Sequence, residues 1–289
     1  MLSYRHIFHA GNFADVCKHA TLSLLIQALK RKDKPFFYLD THAGAGRYDL
    51  LAGAAQKNQE HGYGIAKLWE RDDAPALLKP YLQTIASLNS AGKLRYYPGS
   101  PCLVQQLLRK QDRMVLCELH PTDFAWLDQE FGAEARVTVQ SGDGYQALKA
   151  FLPPRERRGL VFIDPAFELK DERDRLAKAL IMAYQRWPTG IFAIWLPMTD
   201  PNINNAVYRR LRDAGIAKVL LAELCIGPES PALGMYGTGM IIINPPWKLD
   251  QELGRVLPYL HQVLAEKNQG SWRVRWLAHE AKPETQQED

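Results

Sequence analysis

The chain has 289 residues, 46% hydrophobic and 24% charged, which excludes a disordered polymer and allows a sizeable core without disulfide or metal staples. Its net charge of +4 permits a nucleic-acid partner but does not imply one. Four widely spaced cysteines (Cys17, Cys102, Cys117, Cys225) contain no Cys-x-x-Cys pair, which argues for free thiols in a reducing compartment. The N-terminus lacks the basic-then-apolar layout of a signal peptide, and no apolar run approaches bilayer length. A cytoplasmic protein is expected, with no membrane association.

Polar and aromatic groups crowd the first segment: Tyr4-Arg5-His6, His9 to Asp15, and Lys18-His19. One reading is the start of a helix with Asn12 or Asp15 near its cap. The other is a lid, with His19 reaching a cofactor and Tyr4 a target base. His6, His9, Asp15 and His19 have no defined ligand spacing, so no metal is expected. A helical pattern over Ala20 to Leu29 precedes the first strand candidate, Phe36 to Leu39. Six more strands follow: 114–117, 137–139, 160–163, 191–195, 219–224 and 240–243. Helical stretches such as Phe124 to Phe131 and Arg173 to Trp187 separate most of them. Strands apolar on both faces and alternating with helices predict a doubly wound α/β fold with a mostly parallel sheet of seven strands. The interval between the first two strands is too long for one crossover. Residues 50–94 carry helical spacing and read as an inserted helical subdomain over the ligand-binding edge. Residues 1–49 then hold the N-terminal motif and first strand, 95–281 the remainder of the main domain, and 282–289 a polar tail.

Ligands of such folds bind at the carboxyl ends of the strands. The first strand ends in Asp40-Thr41-His42-Ala43-Gly44-Ala45-Gly46, which lacks the third glycine of a dinucleotide fingerprint. It fits the loop that methyltransferases wrap around the methionine part of S-adenosylmethionine. Glu118 ends the second strand, where a carboxylate can accept both ribose hydroxyls. Ser141-Gly142-Asp143-Gly144 follows the third. There Asp143 can accept from an adenine amine, and the glycines leave room for the ring. The fourth strand runs into Asp164-Pro165-Ala166-Phe167, close to the Asp/Asn-Pro-Pro-aromatic pattern of amino-methyltransferases. In that pattern the acid and a prolyl carbonyl orient a nucleobase amine, while the aromatic ring stacks on the extruded base. Asn244-Pro245-Pro246-Trp247 fits the letters better but follows the seventh strand, so it reads as a structural strand end.

Taken together, these residues resemble the large-subunit ribosomal RNA adenine-N6 methyltransferase J family (RlmJ). The stretches that carry the resemblance are 9–19, 38–48, 94–101, 118–121 and 244–248. It implies a Rossmann-like class I methyltransferase fold with an inserted helical subdomain, acting on an adenine of 23S ribosomal RNA. It further implies S-adenosylmethionine contacts at His19, His42, Ser100, Glu118, Asp143 and Gly144, catalysis by Asp164, and substrate contact at Tyr4. A monomer without an obligate protein partner is implied as well. The chain departs from the family's Asp-Pro-Pro-Tyr at Ala166 and Phe167. Phe keeps the stacking face, while Ala loosens the loop by up to about 1 kcal/mol of conformational entropy. From the residues alone, a methyltransferase of another amine (DNA adenine or protein) and a non-catalytic RNA-binding relative stay open. A nicotinamide-dependent oxidoreductase is disfavoured by the glycine spacing.

Overall fold

The computed structural model describes residues 4–229, 234–266 and 269–279. Its first half runs α1 (Phe13–Lys30), β1 (Phe37–Asp40), β2 (Arg47–Asp49), α2 (Gly53–Asn58), α3 (Lys79–Leu88), β3 (Tyr96–Pro98), α4 (Ser100–Leu107), β4 (Arg113–Glu118) and α5 (Pro121–Phe131). The second half runs β5 (Val137–Ser141), α6 (Gly144–Phe151), β6 (Gly159–Ile163), α7 (Glu172–Arg186), β7 (Ile191–Met198), α8 (Asn205–Asp213), β8 (Val219–Cys225), β9 (Gly237–Ile243), α9 (Leu249–Leu264) and β10 (Ser271–Ala278).

Because successive strand residues face opposite ways, each central strand feeds two cores. Tyr38, Met114, Leu116, Leu160 and Phe162 face the core shared with α1, α4, α5 and α9. Phe37, Leu39, Val115, Val161 and Ile163 face the other, built with α6, α7 and α8. Each buried side chain of this size contributes about 1.5–3 kcal/mol, so strands apolar on both faces are held at the centre of the sandwich. Helix α1 is itself buried nearly all round. It starts where the Asn12 side chain accepts the Asp15 N–H at 2.9 Å, which settles its cap on Asn12.

The sheet has eight strands in the order β10-β8-β9-β7-β6-β1-β4-β5, one more than the sequence pattern predicts. The pairs from β5 to β7 are parallel, whereas β9 and β10 run antiparallel to their neighbours. The additional strand, β10, pairs only with β8 and leaves Trp272, Arg273 and Arg275 exposed. Its side chains alternate in character instead of forming an apolar run. The short β2–β3 ribbon was not expected either. It brackets the 50–94 segment, which holds α2, three 3₁₀ turns and α3. Ile65, Leu68, Leu78, Tyr81 and Ile85 from this segment join the α1 core. The 282–289 tail lies outside the described residues. All four cysteines are free and buried, and no described helix is long and apolar enough to cross a membrane.

Chain order reverses between β1 and β6, since β1 lies between β4 on one side and β6 on the other. That switch point opens a crevice at the carboxyl ends of the parallel strands.

Candidate active site

A cavity of about 440 Å³ fills the crevice, within the size range of small-ligand sites. Of the residues singled out in the sequence, Tyr4, His19, His42, Ser100, Glu118, Asp143, Gly144, Asp164 and Pro165 all line it. Phe167 does not. Its backbone adopts φ +52°, and its ring packs edge-on against Trp195 at 5.8 Å, with the Arg173 guanidinium over it at 4.9 Å. A left-handed conformation at a bulky residue costs of order 1–3 kcal/mol and here turns the ring away from the cavity.

One end of the cavity is shaped by backbone and carboxylates. Asp40, fully buried at the end of β1, accepts from the Tyr38 hydroxyl at 2.8 Å and the His42 N–H at 3.3 Å. Burial pushes its carboxyl up to about 7, with the Ser100 and Tyr38 hydroxyls pulling the other way. The glycine loop then turns through Gly44 at φ +61°, whose N–H donates to Glu118 Oε2 at 2.8 Å. Glu118 Oε1 accepts the His120 N–H at 2.6 Å, and burial raises this carboxyl above its ordinary range. Asp143 caps α6 by accepting the Tyr145 N–H at 2.8 Å, and Arg175 braces its second oxygen at 3.1 Å. At Gly144 a Cβ would stand 2.0 Å from the Thr41 carbonyl oxygen, so only glycine fits where strand end and helix start meet.

Two imidazoles, a buried His19 and a half-buried His42, complete this end. His19 shares a hydrogen bond with the Tyr97 hydroxyl at 2.7 Å, and His42 with the Thr41 hydroxyl at 2.8 Å. Burial lowers His19 to about 3 and His42 to about 4, so both rings are neutral at physiological pH. The lining as a whole carries six carboxylates (Glu118, Asp123, Asp143, Asp164, Glu168, Glu172) against two cations, Lys18 and Arg175. Such a site favours a positively charged ligand.

At the other end Asp164 follows β6 directly. Lys18, reaching across from α1, places Nζ 2.5 Å from Asp164 Oδ2 and 2.9 Å from Asp15 Oδ1. Asp15 also accepts the Gly11 N–H at 2.8 Å and lies 2.9 Å from His6 Nε2. An ionised carboxylate only accepts, so His6 Nε2 donates to it, and the Tyr4 hydroxyl lies 2.8 Å from Nδ1 on the other side of the ring. Burial works against charge on both Asp15 and Lys18. His6 and Lys18 nevertheless hold the Asp15 carboxyl well below its ordinary range, while Asp15 and Asp164 raise the Lys18 ammonium. The result is a carboxylate–ammonium–carboxylate series ending at Asp164.

Lys18, Asp15 and His6 are functional candidates that the sequence reading did not assign to the reaction. The signal available was an Asp and a Lys three residues apart inside an otherwise apolar helix, a spacing that places both on one face. Among the described residues no cluster of three or more His, Cys, Asp or Glu side chains is placed to hold a metal ion. Asn244 sits at the opposite end of the strands, by the start of β7, where its side-chain amide donates to the Pro188 and Gly190 carbonyls, both at 2.8 Å. That is a strand-end clamp, as its position in the sequence suggests.

A family model described as ribosomal RNA large subunit methyltransferase D, RlmJ, matches residues 33–278. A protein of Escherichia coli (strain K12) named ribosomal RNA large subunit methyltransferase J is 48% identical over 280 residues, covering 97% of this chain and 100% of its own. Its namesake from Haemophilus influenzae is 47% identical over 281 residues, with coverage of 97% and 100%. A crystal structure of a Legionella pneumophila protein superposes with a TM-score of 0.86 at 39% identity, covering 93% of this chain and 98% of that one.

Proposed function

Because the chain belongs to the ribosomal RNA large subunit methyltransferase J family, we propose that it methylates the N6 amine of an adenine in 23S ribosomal RNA. S-adenosylmethionine, when bound, supplies an electrophilic methyl group on a cationic sulfur. The cavity fits such a molecule: its lining is net acidic, its His19 and His42 imidazoles are neutral, and Gly144 leaves the space a nucleoside ring requires. In this reading Glu118 accepts the ribose hydroxyls and Asp143 the adenine amine of the cofactor. His19, His42 and Ser100 line the remainder.

For the target base, Asp164 Oδ1 and the Pro165 carbonyl accept the two N–H groups of the amine, which aims its lone pair into the cavity. Methyl transfer to an amine needs alignment and an acceptor for the departing proton more than it needs a strong base. Lys18 occupies Oδ2 and so fixes the carboxylate plane, leaving Oδ1 for the base. Tyr4 covers the base from the N-terminal segment. Phe167 contributes its face by rotating off Trp195. The observation that carries the proposal is the braced Asp164, followed by Pro165, on the wall of the same cavity that holds Glu118 and Asp143. In this reading the enzyme works as a monomer in the cytoplasm, where ribosomal RNA is found.

The test is transfer of labelled methyl from S-adenosylmethionine to protein-free 23S ribosomal RNA, with duplex DNA alongside and digestion to nucleosides. Label in N6-methyladenosine from RNA alone supports the reading. Label on DNA, or none on nucleic acid despite cofactor binding, would direct the chemistry to another amine.

A further inference from the structure

A target adenine held at Asp164 brings with it a string of phosphates, and the acidic cavity repels them. The flanking RNA therefore needs a cationic surface next to the site. Such a surface lies beyond the Phe167 loop. Arg173 covers the Phe167 ring and donates through Nε to Asn204 Oδ1 at 3.1 Å, which ties the catalytic loop to the start of α8. Beyond Asn204 an open groove of about 670 Å³ runs between α8 and the edge strand β10.

Its lining includes Asn202, Asn205, Tyr208, Arg209, Arg212 and Arg275, and no acidic residue among those described. The arginines are largely uncompensated. Arg209 has no carboxylate partner among the described residues, and Arg212 meets only its exposed neighbour Asp213, at 3.6 Å. Arg275 stands 3.8 Å from Glu223, a carboxylate it shares with Arg273 at 3.9 Å. Arg209 and Arg212 lie three residues apart on one face of α8, about 4.5 Å along its axis, which is the order of one nucleotide step. The guanidinium of Arg275 also lies over the Tyr208 ring at 6.0 Å. Cationic side chains interleaved with aromatic faces along a groove match the chemistry of a nucleic-acid strand.

We infer that the α8–β10 groove holds the RNA strand flanking the target adenine, with Arg209, Arg212 and Arg275 on its phosphates. This inference rests on the RNA-methyltransferase reading and gives that enzyme its docking surface. Other basic side chains lie at the far edge of the molecule, by the amino ends of β1 and β6, where Lys34, Arg155 and Arg158 surround a separate hollow. There Arg158 donates to the Leu29 and Lys34 carbonyls, and Arg155 pairs at 3.2 Å with Glu156, an acid in the lining of that hollow of a kind the described lining of the α8–β10 groove lacks.

The test compares wild type with Arg209→Ala/Arg212→Ala and with Lys34→Ala/Arg155→Ala, which removes the same charge from the far edge. For the groove variant, the KM for 23S ribosomal RNA should rise roughly tenfold. The slope of log binding constant against log salt should become shallower by roughly 1.4, the loss expected for two phosphate contacts. S-adenosylhomocysteine binding by calorimetry should not change. The far-edge variant should stay within about twofold of wild type. An unchanged KM and salt slope in the groove variant would overturn the inference, as would equal losses in both variants. Filter binding of the same RNA separates the two levels of the proposal. A wild type that binds RNA through the groove but methylates none overturns the substrate reading and leaves the groove standing.

Discussion

Lys18 and Asp164 lie 146 positions apart in the chain and 2.5 Å apart in the fold, so the first helix supplies the counter-charge of the loop proposed to perform the reaction. The arrangement divides the work at Asp164. One carboxylate oxygen is bound to Lys18, and the other is the one proposed to meet the substrate.

Asp164→Asn removes the proton acceptor while keeping shape. Turnover on 23S ribosomal RNA should fall by at least about 100-fold, the lower end for loss of a general base. Calorimetric affinity for S-adenosylhomocysteine should hold within a few-fold. Parallel loss of both would mean that Asp164 serves cofactor binding and not the transfer.

Lys18→Met leaves Asp15 and Asp164 facing each other with no cation between them. Breaking a buried ion pair from one side costs about 3–5 kcal/mol, which urea unfolding should show as a large fall in midpoint. The double variant Lys18→Met/Asp15→Asn should recover part of that loss, since it removes the stranded charge as well. No recovery would put the damage in packing and not in electrostatics.

Asp40 gives a pH dependence of defined sign. Its carboxyl is raised from the ordinary 3.8 to about 7, so the folded state holds a proton that the unfolded state has released. The stabilisation is fully present below about pH 4 and is lost as pH rises through 7, up to about 4 kcal/mol for a gap of about three pH units. His19 and His42, lowered to about 3 and about 4, act oppositely: their contribution is present above about 6.5 and is lost as pH falls. The informative quantity is thus the stability difference between wild type and Asp40→Asn. That difference should move steadily in favour of the variant from pH 4 to pH 8, and a flat difference would contradict the raised carboxyl.

Gly144→Ala sets a methyl group 2.0 Å from the Thr41 carbonyl. Strain of about 1–3 kcal/mol is expected, with the strand end and helix start forced apart where the cofactor's adenine is proposed to sit. Affinity for S-adenosylhomocysteine should drop by roughly tenfold or more. Retention of full affinity would place the nucleoside elsewhere in the cavity.

The legible parts of the molecule were those governed by local pattern. Strands β1, β4 and β6 stood out because each residue feeds one of two cores, and Glu118, Asp143 and Asp164 followed because ligands gather at strand ends. Strand β10 was missed because an edge strand alternates exposed and half-buried side chains, and β2 and β3 because each has only three residues. Lys18 was visible as a residue but not as a partner, since nothing local in α1 announces a carboxylate at position 164. Phe167 shows the limit from the other direction. Its letter fits a stacking residue, but its backbone takes a positive φ and its ring packs on Trp195 instead of lining the cavity.

Helix α1 is enclosed on almost every side, and its enclosure draws on the whole length of the chain. The core around it takes in Tyr38, Leu103, Phe162, Ile242 and Leu257, and beyond its last turn Arg31 is bound to Glu252. The earliest-made helix thus stays uncovered until the last long helix has been synthesised. Cutting the chain anywhere between them leaves an apolar rod without its sleeve. The first and last thirds of the chain share one core in this sense, and each covers apolar surface that the other would leave exposed.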